Sequence, residues 1–134
     1  LEKFVVLLPT VPLRDKFDID NAIDVFQKRK AMTLVSVVEA DIPISWFYRM
    51  DENGMIYNAD FDKKDSMNNR QKNDKYYIPN GAIYILDYEL LKNQRTYYAK
   101  DTVGYIMPKE KSVDIDTIDD FKYAEYLIKE NIRE

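Results

Sequence analysis

The sequence contains no cysteine and no histidine, and it has only three glycines among its 134 residues. The absence of cysteine excludes disulfide bonds, thiol nucleophiles and thiolate metal sites. The absence of histidine removes the most common general base and the most common zinc ligand. So few glycines leave no glycine-rich cradle for phosphates in these residues. Any chemistry must therefore rest on carboxylates, arginine, lysine, tyrosine, amides or a bound metal.

The bulk composition predicts one folded domain with a real core. Hydrophobic residues make up 46% of the chain, which is typical of globular proteins. The net charge is −4, from 20 basic and 24 acidic residues, whereas a nucleic-acid-binding protein usually has a basic surface. No apolar run approaches the length of a membrane span. We therefore expect a cytoplasmic protein with neither nucleic acid nor membrane as a partner.

The hydrophobic pattern predicts an α/β fold. Residues 3–8 are predicted to form a strand, because the apolar run at residues 4–8 indicates burial on both faces of a parallel sheet. A helix over 19–30 follows, with Asp18 as its N-cap and an apolar face of Ile19, Ala22, Ile23 and Phe26. A strand over 33–38 completes a right-handed βαβ unit. Further predicted elements are strands at 82–86, 96–99 and 103–107, a short helix at 88–93, and a closing helix at 118–130 that buries Ile118, Phe121, Ala124, Leu127 and Ile128.

The middle of the chain has a different character. Residues 47–50 and 55–57 flank a turn-forming stretch and predict a β-hairpin. Residues 58–75 are polar and charged, and they indicate either a flexible loop or an arm that reaches a partner subunit. A turn is predicted at 79–81, where Asn and Gly favour positive φ. Because a domain rarely opens with its central strand, we also expect that an N-terminal portion precedes Leu1.

Asp114-Ile115-Asp116-Thr117 is the most informative short stretch. On a strand, Asp114 and Asp116 would point to the same face, with Ile115 turned into the core. Two carboxylates at that spacing suit Mg²⁺ bound between protein and phosphates. Thr117 is predicted to cap the closing helix, with Asp120 at its third position. The alternative from these residues alone is that the aspartates are only helix caps and solvated charges.

Other polar residues lie at predicted strand ends, and a parallel sheet would bring them to one edge. They are Thr10, Arg14, Arg70, Gln71, Asn80 and Tyr84. Arg70 would suit bidentate pairing with a carboxylate or phosphate, or it is one more charge in a solvated loop. Arg14 has the alternative of a local salt bridge to Asp15 or Asp18. Asn80 has the alternative of shaping the turn alone.

Several stretches of the chain resemble, in the same order, signature sequences of the acylneuraminate cytidylyltransferases, the CMP-sialic acid synthetases. These stretches are the Pro-Thr-Val-Pro-Leu-Arg loop at 9–14, the helix start at 18–23, Arg-Gln at 70–71 with Pro-Asn-Gly-Ala-Ile-Tyr-Ile at 79–85, and the block at 105–125. Matches in order over nearly the whole chain are far more specific than any one of them. The resemblance therefore favours the metal interpretation of Asp114 and Asp116.

The resemblance implies a nucleotidyltransferase that moves CMP from CTP to a nonulosonic acid and releases pyrophosphate with the help of Mg²⁺. It implies a Rossmann-like sheet with helices on both faces, of which residues 1–134 are the C-terminal part. It also implies a small inserted dimerisation subdomain at 42–75 and hence a homodimer.

Residue roles follow from the same resemblance, position by position. Asp114 and Asp116 match catalytic, metal-binding aspartates, and Arg70 matches an arginine of the dimerisation arm that enters the partner's sugar site. Tyr84 matches a tyrosine that faces the sugar, and Tyr97 and Tyr98 match a phenylalanine pair that lines the acyl pocket. Thr10, Arg14, Gln71 and Asn80 complete the predicted substrate-binding set.

The chain departs from the family pattern at several positions. No glycine-rich, basic nucleotide loop is present, Leu8 stands where many members have glutamine, and Tyr97 and Tyr98 replace phenylalanines. These changes keep two alternatives open. One is a cytidylyltransferase for another nonulosonate, such as legionaminic or pseudaminic acid. The other is a non-catalytic module that binds a sugar acid or dimerises.

Overall fold

The computed structural model describes residues 2–59 and 75–133, and it shows a mixed α/β chain of two compact units. The larger unit contains residues 1–38 and 78–134, and the smaller one contains residues 39–77. The strands are β1 Lys3–Val6, β2 Thr33–Glu39, β3 Tyr48–Met50, β4 Ile56–Asn58, β5 Tyr77–Asp87 and β6 Val103–Ile106. The helices are α1 Lys16–Arg29, α2 Tyr88–Gln94 and α3 Ile118–Arg133, with 3₁₀ turns at Ile44–Trp46 and Lys109–Lys111.

The main sheet has the strand order β1-β5-β2-β6, and it is mixed rather than parallel. β2 and β6 are parallel, whereas β1 runs antiparallel to β5 with Val6 opposite Tyr84. β5 lies between β1 and β2, so the two strands of the predicted βαβ unit are not neighbours. β1 is at the edge of the described sheet and Val5 is 36% exposed, so the prediction of a strand buried on both faces is wrong.

Helix α1 begins three residues before its predicted start. Its N-cap is Asp15, whose carboxylate accepts from the backbone N–H of Asp18, while the Asp18 carboxylate accepts from the N–H of Asp15, each at 3.0 Å. Asp18 is therefore the third helical residue and not the cap. Ala22 and Phe26 are buried, and so the predicted apolar face is confirmed.

The core of the larger unit lies between α1 and the sheet. Its buried residues come from the loop after β1, from α1 and the connection that follows it, from β2 and β5, and from the residue after β6: Val11, Ala22, Phe26, Ala31, Leu34, Ala82, Ile83, Ile85 and Met107. Because successive side chains of a strand point to opposite faces of the sheet, one face of the sheet is turned towards this core. The predicted buried strand at 82–86 is confirmed as the inner part of β5.

The predicted turn at 79–81 is wrong, because these residues continue β5. Gly81 adopts positive φ (+75°) inside the strand, and a Cβ there would lie 3.0 Å from Leu8 Cδ1. Glycine thus lets the loop after β1 approach β5 closely. The predicted strand at 96–99 is also not formed. Thr102 Oγ1 accepts from the Ala99 N–H at 2.7 Å and donates to the Ala99 carbonyl at 2.8 Å, taking groups that a strand ladder would use.

In the smaller unit, β3 and β4 form the predicted antiparallel hairpin. The Asp51 carboxylate accepts from the backbone N–H groups of Asn53 and Met55, and Gly54 has φ +82°. Every residue of both strands is exposed. Most of the predicted arm at 58–75 lies outside the described residues.

Helix α3 confirms the closing helix but extends to Arg133. Ala124 is buried and Leu127 is partly buried, as predicted. Ile118, Phe121 and Ile128 are instead 67%, 53% and 44% exposed, so their predicted burial is wrong in this structure. The helix therefore packs through a narrower stripe than its hydrophobic periodicity suggests. None of the helices in the described ranges has both the length and the apolar character that crossing a membrane requires.

Candidate functional site

Residues 112–117, here called the acidic segment, belong to neither a helix nor a strand. The prediction that the two aspartates end a strand is therefore wrong: β6 stops at Ile106, and Pro108 follows it without an N–H to continue a ladder. The predicted alternation is nevertheless present, because Asp114 and Asp116 are exposed whereas Ile115 is partly buried. The backbone N–H of Ile115 donates to the Thr10 carbonyl at 2.8 Å. That bond joins the acidic segment to the loop after β1.

The start of α3 confirms the predicted cap. Thr117 Oγ1 accepts from the Asp120 N–H at 3.2 Å, and the Asp120 carboxylate accepts from the N–H groups of Thr117 and Asp116 at 2.9 and 3.0 Å. These bonds hold the pKa of Asp120 below its usual range, the bond from Asp116 contributing most. Capping is thus performed by Thr117 and Asp120. Among the hydrogen bonds and ion pairs of the described residues, none uses the carboxylate of Asp114 or Asp116.

Lys111 fixes the chain just before the acidic segment. Its ammonium lies 2.8 Å from Asp15 Oδ2 and 3.0 Å from Asp18 Oδ2, at the start of α1. The bond from Lys111 is the main reason that the pKa of Asp15 is lowered, and the bond to Asp15 is the main reason that the pKa of Lys111 is raised. Sequence analysis missed this contact, because the partners are more than 90 residues apart.

The buried side chain of Asn80 also holds the start of the acidic segment. Asn80 is 8% exposed, and its Nδ2 donates to Ser112 Oγ at 2.9 Å. Its Oδ1 accepts from the hydroxyl of Ser36 on β2 at 2.5 Å. Asn80 therefore does more than shape the local backbone. Ser36 and Ser112 were not singled out in the sequence, although a serine within the apolar run of β2 signals a buried group that needs a partner.

Tyr97 and Tyr98 lie near Tyr84, which is also near Asp114 of the acidic segment. The rings of Tyr84 and Tyr97 stack with centroids 4.8 Å apart and planes at 30°. The pKa of the Tyr84 hydroxyl is raised, first by burial and then by the nearby charges of Tyr98, Tyr97 and Asp114. The predicted residues Tyr84, Tyr97, Tyr98 and Asp114 are thus brought together in one place. Tyr97 and Tyr98 are 38% and 48% exposed, so this cluster faces solvent in part.

Arg14 supports its own loop. Its Nη1 donates to the backbone carbonyls of Leu8, at 2.8 Å, and Val11. Partial burial lowers the pKa of Arg14. The alternative of a salt bridge from Arg14 to Asp15 or Asp18 is not seen, since Lys111 takes both carboxylates. Thr10, in the same loop, is exposed and offers its carbonyl to the acidic segment.

Two predicted substrate residues, Arg70 and Gln71, lie outside the described residues. Within residues 2–59 and 75–133, no group of three or more acidic side chains is arranged to hold a metal ion. Mg²⁺ usually keeps several waters and takes only one or two protein carboxylates together with substrate phosphates. The exposed pair Asp114 and Asp116, not used by any described hydrogen bond, fits that requirement.

Comparison with known proteins gives matches along nearly the whole chain. No protein-family model matches. The N-acylneuraminate cytidylyltransferase of Streptococcus agalactiae serotype V is 33% identical over 120 residues, which are 90% of this chain and 29% of that protein. The enzyme of the same name from Escherichia coli O18:K1:H7 is 33% identical over 92% of this chain and 29% of its own length. The pseudaminic acid cytidylyltransferase of Campylobacter jejuni serotype O:2 is 27% identical over 93% of this chain and 53% of that protein.

The chain thus spans less than a third of the N-acylneuraminate cytidylyltransferases that it matches and about half of the pseudaminic acid enzyme. The matches nonetheless cover at least nine tenths of this chain. On this similarity, the chain is a homologue of the N-acylneuraminate cytidylyltransferases, the family that its motifs predict.

Proposed function

We propose that the protein carrying this chain transfers CMP from CTP to a nonulosonic acid and releases pyrophosphate. The observation that carries the proposal is that the exposed Asp114 lies near enough to Tyr84, whose ring stacks on Tyr97, for its charge to raise the pKa of the Tyr84 hydroxyl. A backbone hydrogen bond from Ile115 to Thr10 holds this part of the acidic segment. An anionic, oxygen-rich group next to aromatic faces suits a sugar and a metal-bound phosphate in adjacent positions. The curated relatives are named as cytidylyltransferases for N-acylneuraminate and pseudaminic acid, which agrees with this class of reaction.

Asp114 and Asp116 would hold Mg²⁺ through one or both carboxylates. When bound, the ion supplies positive charge that offsets the phosphate charge of CTP. The protein's own contribution is to keep these two acids in place without neutralising them. Lys111 meets this condition, because its ammonium pairs with Asp15 and Asp18 and not with Asp114 or Asp116.

The tyrosines would form the wall against which the sugar lies. Tyr84 presents a partly buried ring stacked on Tyr97, and Tyr98 is close enough to influence its pKa. Aromatic faces pack against the apolar faces of sugars, while the hydroxyls donate to or accept from polar substituents. Thr10 adds a hydroxyl from the neighbouring loop. The partner subunit's Arg70 would enter this site from the dimerisation arm, and Gln71 follows Arg70 in the sequence.

We further propose a homodimer formed through the smaller unit. Its 3₁₀ turn and hairpin carry large exposed apolar side chains, with Trp46 70%, Met50 69% and Ile56 57% exposed. Large exposed apolar patches mark interaction sites in many proteins. Sedimentation of the protein as a monomer at micromolar concentration would contradict this part of the proposal.

The enzymatic test is pyrophosphate release by the full-length protein from CTP and a panel of nonulosonic acids: N-acetylneuraminic, legionaminic and pseudaminic acid. Asp114→Asn and Asp116→Asn are expected to reduce turnover by about a hundredfold or more with unchanged unfolding, because both side chains are exposed. Asp119→Asn, on the exposed first turn of α3, is the matched control and should retain activity. If no sugar acid of the panel supports pyrophosphate release by the wild type, the transferase proposal is wrong and the non-catalytic alternative is favoured.

A further inference from the structure

A directed chain of hydrogen bonds runs from the core of the sheet to the acidic segment. The backbone N–H of Ile83 donates to Ser36 Oγ at 2.8 Å, and the Ser36 hydroxyl donates to Asn80 Oδ1 at 2.5 Å. Asn80 Nδ2 donates to Ser112 Oγ at 2.9 Å, and the Ser112 hydroxyl donates to the Pro108 carbonyl at 2.7 Å. Ser36 is fully buried and Asn80 is 8% exposed. Two core strands are thereby tied to the first residue of the acidic segment.

The direction of each hydrogen bond is fixed by its neighbours. The backbone N–H of Ala82 also donates to Asn80 Oδ1, at 3.1 Å, so the amide oxygen must face β5 and the amide nitrogen must face Ser112. The Ser112 hydroxyl has a carbonyl as its acceptor and therefore receives the bond from Asn80. The Asn80 side chain thus accepts with its oxygen and donates with its nitrogen, whereas an ionised aspartate at this position would have no donor for Ser112.

The acidic segment depends on such side-chain anchors. It lies between the end of β6 at Ile106 and the start of α3 at Ile118, so no strand ladder sets its position. The bond from Ile115 to the Thr10 carbonyl holds its middle, and Ser112 holds its beginning. Some groups orient metal ligands without contacting the metal themselves. Removing such a group typically lowers the metal affinity by about 10–100-fold.

We infer that Ser36, Asn80 and Ser112 are positioning residues that set the place of the acidic segment and thereby the cation affinity of Asp114 and Asp116. The inference rests on the proposed function for the role of the two aspartates. It gives Asn80 a task that requires no contact with the sugar.

Ser112→Ala in the full-length protein is the test. Ser112 is partly exposed, so the substitution removes a hydroxyl without opening a buried cavity. Two quantities are measured: Mn²⁺ affinity, followed by electron paramagnetic resonance, and hydrogen exchange at the Ile115 amide. We expect the affinity to fall about tenfold or more, and exchange to accelerate by a similar factor, at a nearly unchanged urea midpoint. Ser112→Thr keeps the hydroxyl and should behave like the wild type, as should Ser45→Ala in the smaller unit.

Wild-type exchange at Ile115 and wild-type Mn²⁺ affinity in Ser112→Ala would overturn the inference. Ser112→Cys, which keeps the volume but forms only weak hydrogen bonds, gives the same decision if the alanine variant does not fold. A wild type that binds no Mn²⁺, with or without CTP, would refute the proposed function instead. In that case the exchange of Ile115 still decides whether the three residues fix the segment.

Discussion

Replacing Lys111 by methionine should destabilise the larger unit by about 2 kcal/mol at neutral pH. The estimate follows from the burial of Asp18, whose side chain is only 9% exposed and would lose a charge-assisted hydrogen bond, usually about 1.5–3 kcal/mol. The loss is moderated because the Asp18 carboxylate keeps its bond from the Asp15 N–H. The bond to Asp15 adds less than about 1 kcal/mol, since that side chain is 46% exposed.

The measurement is urea unfolding of the wild type and Lys111→Met, with Lys28→Met as the matched control. Lys28 lies 2.7 Å from Asp24, about as close as Lys111 to Asp15, but both side chains of this pair are largely exposed. An exposed pair one helical turn apart contributes only about 0.3–0.5 kcal/mol. Equal losses of unfolding free energy in the two variants would show that the burial of Asp18 does not strengthen its bond to Lys111.

The same pair predicts the pH range in which the difference appears. The pKa of Asp15 is lowered in the folded protein, so its contribution is present above roughly pH 4 and is lost as the pH falls through the folded pKa. The pKa of Lys111 is raised, so its contribution is present below roughly pH 10 and is lost as the pH rises through the folded pKa. The stability gap between wild type and Lys111→Met should therefore be widest between these limits, shrink at the acid end by the share that Asp15 contributes, and close at the alkaline end, where Lys111 loses its charge. A gap that did not change with pH would contradict the assignment to ionic contacts.

Three further predictions follow from local geometry. Gly81→Ala should lower the free energy of unfolding by about 1–3 kcal/mol, because residue 81 needs positive φ. Gly104→Ala should leave it nearly unchanged, because the nearest atom to the added Cβ is 3.6 Å away. Equal urea midpoints for the two variants would refute this prediction. Asp114→Asn should lower the pKa of the Tyr84 hydroxyl towards its ordinary value, as measured by ultraviolet titration with Tyr84→Phe to identify the signal. An unchanged pKa would show that the Asp114 charge does not act on Tyr84. Asp87→Ala should cost about 1 kcal/mol by removing the cap of α2, measured by urea unfolding, and no loss would mean that water replaces the cap.

Local patterns predicted the elements whose signals are local. The capping box formed by Thr117 and Asp120 was read correctly, as were the hairpin and the apolar face of α1. The start of α1 was misplaced because Asp15 and Asp18 both satisfy the preference for an acidic cap, and only the reciprocal bonds between them decide which one is the cap. A preference of residue type leaves such a choice open.

Two errors of the prediction come from contacts between residues far apart in the sequence. A continuous apolar run indicates burial on both faces, yet β1 pairs on only one side in the described sheet. An Asn-Gly pair favours a turn, yet at Asn80 and Gly81 it allows β5 to pass close to Leu8 and lets the amide reach Ser36. Periodicity and turn preferences describe what a segment can do alone, while packing selects among those options.

The candidate site was predicted in part. Asp114, Tyr84, Tyr97 and Tyr98 were selected from the resemblance, and the structure brings them together. The groups that hold them were not selected, because a lysine such as Lys111 has no local signature that reveals its distant partners. The roles of all these residues in binding or catalysis stay predictions until the experiments above are done.

The contact between Lys111 and Asp15 joins residues 96 positions apart. Closing a segment of that length is entropically expensive early in folding, and so the contact forms only after the intervening chain has collapsed. A late contact affects the rate of unfolding much more than the rate of refolding. Lys111 is therefore expected to slow the unfolding of the assembled site and to leave its folding rate almost unchanged.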